Sequence, residues 1–245
     1  MTVETINDIN KHERDDGIEF DAPTHTYRHG GREFRSVTTL VESCFEKFDI
    51  DYWAMRKARG NEDKAKELKA LWEAEGKKAR DLGTRMHAKI ESYYLGEDDG
   101  DTSDALRLFR FFAAGKKLSP YRTEWRIYDE DFDLAGTLDF LERTAEGTFN
   151  IWDWKRSRKL VGPDGLVIRD NRFGTRAIHP ALRHIHDTSY WHYALQLSIY
   201  RYILEHKYDI TVNEMNLGVF HPENPHAYVI PLPYLKGEVE SILPL

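Results

Sequence analysis

The sequence predicts an α/β protein, with helices filling its first half and short strands plus one long helix its second. Two observations carry this. Charged, helical patterning runs from about residue 36 to 117. Beyond Pro120 it gives way to short β-branched and aromatic runs, interrupted by a helical segment from Ser189 to His206.

Taken in order, residues 1–20 read as a polar tail and residues 21–245 as a single domain, since 245 residues favour one elaborated core. His25 to Phe34 reads as two short strands around Gly30-Gly31, a pair that accepts the positive φ of a tight hairpin. Ser36 to Phe45 predicts a helix start, with Thr39 and Glu42 spaced as a capping box. Asp49 to Lys78 is charged and free of proline, which predicts one or two surface helices anchored by Trp53 and Trp72. Gly83-Thr84 interrupts that pattern, and Met86, Ile90 and Tyr94 resume it on a helix capped near Thr84. After the acidic loop Gly96 to Asp101, a further helix is expected from about Ser103 to Lys117. Arg122 to Tyr128, Leu134 to Leu141 and Thr148 to Lys155 predict a three-strand meander. Ser189 to His206 predicts a strongly amphipathic helix, Met215 to Phe220 and Ala227 to Ile230 two more strands, and Leu235 to Ile242 a last helix. The helical part thus covers about residues 36–117, and the sheet with its helix about 120–231.

With 40% hydrophobic, 31% charged and 13% aromatic residues, the composition is that of a folded globular chain. No apolar run approaches the ~20 residues that cross a bilayer, and nothing near the start resembles a signal peptide. No membrane partner is expected, and the protein should be soluble inside a cell, in the cytoplasm or a DNA-containing compartment of a host. Cys44 is the only cysteine, which excludes an intramolecular disulfide, a thiolate zinc knuckle and a four-cysteine iron–sulfur cluster. The net charge of -7 argues against a protein that coats nucleic acid nonspecifically. Between Lys155 and His186, however, eight basic residues face only Asp164 and Asp170, a local excess of +6.

An acid-x-lysine pattern occurs five times and is uninformative by count. Asp153-Trp154-Lys155 stands apart because it ends the apolar run Phe149, Ile151, Trp152. On a strand, Asp153 and Lys155 project to the same side as Phe149 and Ile151, at the edge of a core. Unpaired buried charge is costly, so the pair must be compensated by each other or by a metal and a phosphate. A plain ion pair at a strand end satisfies the same constraint. The preceding strand, Ala135 to Phe140, brings a second carboxylate, Asp139, across a short hairpin. Such oxygen ligands suit Mg²⁺ or Mn²⁺. The ion would acidify a bound water, and Lys155 could orient that water or neutralise charge on a phosphate.

At these residues the chain resembles the PD-(D/E)XK nuclease superfamily, and within it the RecB-type branch. Gly83-Thr84-Arg85-Met86-His87 resembles the helix that carries that branch's histidine, and Gly136-Thr137-Leu138-Asp139 its first acid motif. Asp153-Trp154-Lys155-Arg156-Ser157 is similar to the acid-x-lysine strand, and Gln196-Leu197-Ser198-Ile199-Tyr200 to the Gln-x-x-x-Tyr helix. His25-Thr26-Tyr27 and Ser36-Val37-Thr38 resemble the opening hairpin and helix start of exonuclease-like members, so the likeness spans roughly His25 to Phe220.

The resemblance implies a restriction-endonuclease-like core, a central mixed β-sheet flanked by helices, with the N-terminal helices as an elaboration. It implies a metal-dependent deoxyribonuclease, an exonuclease with little sequence specificity in replication, repair, recombination or viral genome processing. Asp139, Asp153 and Lys155 would be catalytic, with His87, Asp139 and Asp153 as metal ligands; His87 as a core histidine is the plainer reading. Glu91 could orient His87, Glu124 could add a carboxylate, and Gln196 and Tyr200 share a helix face that could reach a phosphate or the catalytic lysine. Arg156, Ser157, Arg158, Lys159, Arg169, Arg172 and Arg176 form the expected grip on DNA that is single-stranded or has a free end, on a loop that Gly162, Gly165 and Gly174 make mobile. Phe173, Tyr190 and Trp191 are candidates for stacking on bases. No glycine loop followed by Lys-Ser/Thr is present, so no nucleotide cofactor is expected. Two alternatives stay open, a non-catalytic module that binds DNA ends and a structure-specific endonuclease.

Overall fold

The computed structural model describes residues 4–243; the outermost residues of the predicted tail and domain, 1–3 and 244–245, lie outside it. Eight strands form one sheet: β1 (Glu19–Asp21), β2 (Thr26–His29), β3 (Arg32–Ser36), β4 (Pro120–Asp129), β5 (Leu134–Arg143), β6 (Phe149–Lys155), β7 (Val212–Val219) and β8 (Tyr228–Leu232). The helices are α1 (Ile6–Ile9), α2 (Val37–Ser43), α3 (Ile50–Lys57), α4 (Glu62–Leu95), α5 (Leu106–Lys116), α6 (Ser189–Lys207) and α7 (Lys236–Ile242). The strands run in the order β1-β2-β3-β5-β6-β7-β8, with β4 branching from β5. β3 with β5 and β6 with β7 pair in parallel and all other pairs are antiparallel, so the sheet is mixed and helix-flanked, as predicted.

Alternation along β6 builds a core on each face. Ile151 packs with α2, α6 and α7, whereas Trp152 and Trp154 pack with Met86 and Ile90 of α4 and with Phe109 and Phe112 of α5. The branch at β5 leaves an opening. β4 pairs with β5 from Leu134 to Glu142, which occupies one edge of that strand. On the other edge β3 takes only Leu134 and Ala135, and β6 takes Phe140 to Arg143. Residues 136–139 of β5 therefore face no strand there, and the candidate site lies in this gap.

Several local expectations change. Gly30 and Gly31 do turn the β2–β3 hairpin at φ 56° and 78°. The α2 cap, however, is Ser36, whose Oγ accepts from the Thr39 N–H; Thr39 is already inside the helix. The break predicted at Gly83-Thr84 is absent, and α4 runs unbroken for 34 residues. A helical glycine costs only about 1 kcal/mol, too little to stop a helix anchored beyond it by Met86 and Ile90. α6 is not amphipathic in effect, since residues 194–200 are all buried between the sheet, α2 and α7.

Residues 4–21 are docked rather than trailing. β1 extends the hairpin, and the segment before it covers the outer edge of β4. Asn7 exchanges two hydrogen bonds with the Thr123 backbone, and the Asn10 amide donates to the Tyr121 carbonyl. These amides stand in for a neighbouring strand and satisfy an edge that would otherwise be open.

Candidate metal centre

Three elements converge on the gap in β5. His87 comes from the inner half of α4, Glu124 from β4, and Asp139 from β5 itself. Their ligand atoms lie within 4.8 Å of one another. His87 Nδ1 is 3.5 Å from Asp139 Oδ2 and 3.7 Å from Glu124 Oε1. Ligands of one Mg²⁺ sit about 2.1 Å from it and hence no more than about 4.2 Å apart, so both separations fit.

Trp154 aligns the group through its main chain. Where the β5–β6 ladder ends, its N–H donates to Asp139 Oδ2 at 2.7 Å, and its carbonyl accepts from His87 Nε2 at 2.7 Å. With Nε2 donating to Trp154, Nδ1 is the nitrogen that faces the carboxylates, where its proton serves them in the absence of an ion and would have to leave for the ring to act as a metal ligand. The indole is locked in an aromatic slab with Phe109, Phe112, Phe140 and Phe220. Gly218 opposite it is required by space, because a Cβ there would stand 2.7 Å from the ring.

Glu124 sits at φ 46°, a left-handed conformation rare for a residue with a side chain and costly inside a strand. Its neighbours hold it there: Thr123 is fixed by Asn7, and Thr123 Oγ1 donates to the Asp139 carbonyl.

Asp153 lies beside this group, with Lys155 Nζ 2.6 Å from its Oδ2. The contact is close but poorly directed, and Oδ2 receives no hydrogen bond although it is buried. Lys155 Nζ also lies 4.5 Å over the Tyr193 ring. Three carboxylates thus face two cations, with room for added positive charge. Burial opposes the charged form of His87, yet Asp139 and Glu124 raise it to about 10. Burial lifts Asp153 above the ordinary carboxylate value, with Lys155 pulling against it and Asp139 reinforcing it. Burial would lift Asp139 too, but His87, Lys155 and the Trp154 N–H hold it low.

Of the predicted ligands, the three-residue group contains His87 and Asp139, with Glu124 where Asp153 was expected. Glu91 does not orient His87, whose nitrogens are taken up by Trp154, Asp139 and Glu124. Gln196 and Tyr200 are buried beneath the gap, where the Gln196 amide donates to the Tyr200 hydroxyl at 3.1 Å. The Tyr200 ring fills the space a Cβ on Gly136 would take. Both residues shape the floor of the site, and a direct reach to a phosphate is blocked by their burial. Tyr193 is not among the residues the sequence singles out, yet its ring lies under Lys155 Nζ. Its position three residues before Gln196, on the same helix face, was the available signal.

The predicted basic grip divides. Arg156 is committed to a bidentate pair with Asp104, and Arg176 to the His184 carbonyl. Ser157 Oγ accepts from the Lys159 N–H, and Arg169 lies over the Tyr190 ring. Arg158 pairs loosely with Glu223 in solvent, while Lys159 and Arg172 are exposed without an ion pair among the described residues. The loop expected to be mobile is fastened by buried Leu160, Val161, Ala177, Leu182 and Ile185 and by hydrogen bonds to the Cys44 carbonyl. Tyr190 is core and unavailable for stacking, Trp191 donates to the Arg169 carbonyl, and Phe173 alone of the three is fully open.

No protein-family model matches the sequence, and no curated protein is significantly similar to it. Among solved structures, one described as the crystal structure of SSO0001 shares 15% identity over 85% of this chain and 72% of its own, with a TM-score of 0.37. A likeness at that score carries no weight for function. Among the described residues, no helix is long and apolar enough to cross a membrane.

Proposed function

We propose that this protein is a divalent-metal-dependent nuclease that hydrolyses DNA phosphodiester bonds, working from ends with little sequence specificity, on a restriction-endonuclease-like core. The observation that carries the reading is the meeting of His87, Glu124 and Asp139 beside the buried Asp153–Lys155 pair, in the one stretch of β5 left open by its neighbours. A nitrogen and several carboxylate oxygens in partial burial suit Mg²⁺ or Mn²⁺, which when bound would supply Lewis-acid activation of water and charge neutralisation at the phosphate. Asp139, fixed by Trp154, and Glu124, fixed by the backbone of β4, would hold the ion with His87. Lys155, held between Asp153 and the Tyr193 ring, would place a positive charge where negative charge grows during cleavage. Lys159 and Arg172, with Arg158 only loosely held by Glu223, would meet backbone phosphates, which position a strand without reading its bases.

The test is incubation of end-labelled linear DNA and a covalently closed circle with Mg²⁺ or Mn²⁺, with EDTA as control. Linear DNA should be degraded and the circle spared. Asp153→Asn and Lys155→Ala should each reduce turnover by about 100-fold or more while circular dichroism stays native. Near-normal turnover in either variant would reject this catalytic site, and binding with no metal-dependent product would reject the enzyme in favour of a module that only binds DNA ends. Cleavage of the circle would point to an endonuclease.

A further inference from the structure

Away from the metal group, Phe111 stands 80% exposed by itself on α5, whereas the other large aromatic rings left in solvent gather at one place. Phe48 is 67% exposed, Trp53 40% and Phe173 74%. With Trp72 they line a cavity of about 460 Å³ between α3, the outer half of α4 and the loop around Phe173. The Phe48 and Trp53 rings are parallel to within 1°, and Trp72 stands 6.3 Å from Phe48. The remaining lining residues are Arg56, Lys57 and Arg172, and no acid joins them. Each cation lies over a ring: Arg56 5.3 Å from Trp53, Lys57 5.4 Å from Trp72 and Arg172 4.5 Å from Phe173.

Open ring faces select flat rings, and cations unopposed by acids select phosphates. Nucleic acid offers both within one nucleotide, but only when its bases are unpaired, because a duplex hides the base faces. We infer that this aromatic shelf binds the unpaired bases of a single strand. The shelf continues into a larger groove that shares Phe48, Arg172 and Phe173 and is also lined by Arg158 and Lys159. Those two follow Lys155 by three and four residues, so they stand within roughly 14 Å of it along the chain. Glu42, Glu46, Asp170 and Asp187 share the groove wall, which leaves the unopposed positive charge at the shelf. The inference rests on the nuclease reading for the identity of the polymer and deepens it by selecting single strands over duplex.

The test is fluorescence anisotropy in EDTA with a labelled oligothymidylate of about 16 nucleotides and a blunt duplex of the same length. Trp53→Ala and Phe173→Ala should each weaken single-strand binding about tenfold and leave duplex binding unchanged, and Trp53→Phe should keep part of the affinity that Trp53→Ala loses. Phe173, on an exposed loop, serves if Trp53→Ala disturbs the packing of α3 on α4. Native single-strand affinity in folded variants of both residues would overturn the inference. So would capture of an apolar peptide, but not the oligonucleotide, at the shelf. Because binding is measured without metal, a protein that shows these losses but never cuts DNA fails the nuclease reading alone. One that cuts DNA but binds oligothymidylate regardless of the substitutions fails the shelf alone.

Discussion

At the scale of single residues, the site depends on main-chain groups as much as on acids. Trp154 fixes both Asp139 and His87 through its backbone, so its buried ring governs geometry at a distance from the ligand atoms. Glu124 reaches the group only by adopting a left-handed backbone, and such strain persists only where its surroundings impose it. This separates it from Glu91, the carboxylate one helical turn beyond His87. Glu124→Gln is expected to weaken Mn²⁺ binding at least about tenfold, as loss of a ligand should, whereas Glu91→Gln should leave it nearly unchanged. Titration calorimetry with Mn²⁺ on both variants decides between them, and equal losses would remove Glu124 from the ligand set.

At the scale of elements, α4 does two jobs along one axis. Its inner half carries His87 against the sheet, and its outer half packs with α3 through Ala54, Ala58 and Ala65. A break at Gly83 would uncouple the two. Since a Cβ at Gly83 would meet nothing within 4 Å, Gly83→Ala should raise stability by roughly 0.5–1 kcal/mol, read from the urea midpoint. A loss of similar size would restore the interrupted helix. β5 likewise serves through what its pairing omits, and its neighbours rather than its own residues decide which stretch stays open.

At the scale of the whole molecule, the N-terminal segment clasps the strand that carries Glu124. Asp15 accepts from Arg122 and from Trp125 Nε1, and Arg14 pairs with Glu130. Burial would raise Asp15, yet Arg122 and the His12 N–H hold it low; Arg14 brings Glu130 down to about 2. Both carboxylates bind protons more weakly folded than unfolded. Their contribution is therefore complete above the ordinary carboxylate range of about 4 and disappears as pH falls toward about 2. Amide exchange over residues 5–17 should accelerate across that interval before the sheet itself is affected. Arg14→Met should shift the onset to higher pH, and an onset that does not move would show the clasp to be held by other contacts.

The sequence by itself determined the α/β class, the three-strand meander, the closing helix and strands, and the candidates Asp139, Asp153, Lys155 and His87. These were legible because side-chain periodicity and local chemistry repeat within a few residues. Tertiary structure decided that Glu124 joins His87 and Asp139, that Asp153 turns to Lys155, and that Gln196 and Tyr200 lie under the site. It also decided that Arg156 and Arg176 are already spent on internal partners, and that α4 passes through Gly83 unbroken. Each of these depends on partners far away in the chain, such as Asp104 for Arg156 or Asn7 beside Glu124, and spacing along a strand or helix contains no record of them. The acidic residues of the candidate metal centre were visible as residues, while their meeting was a property of the gap in β5.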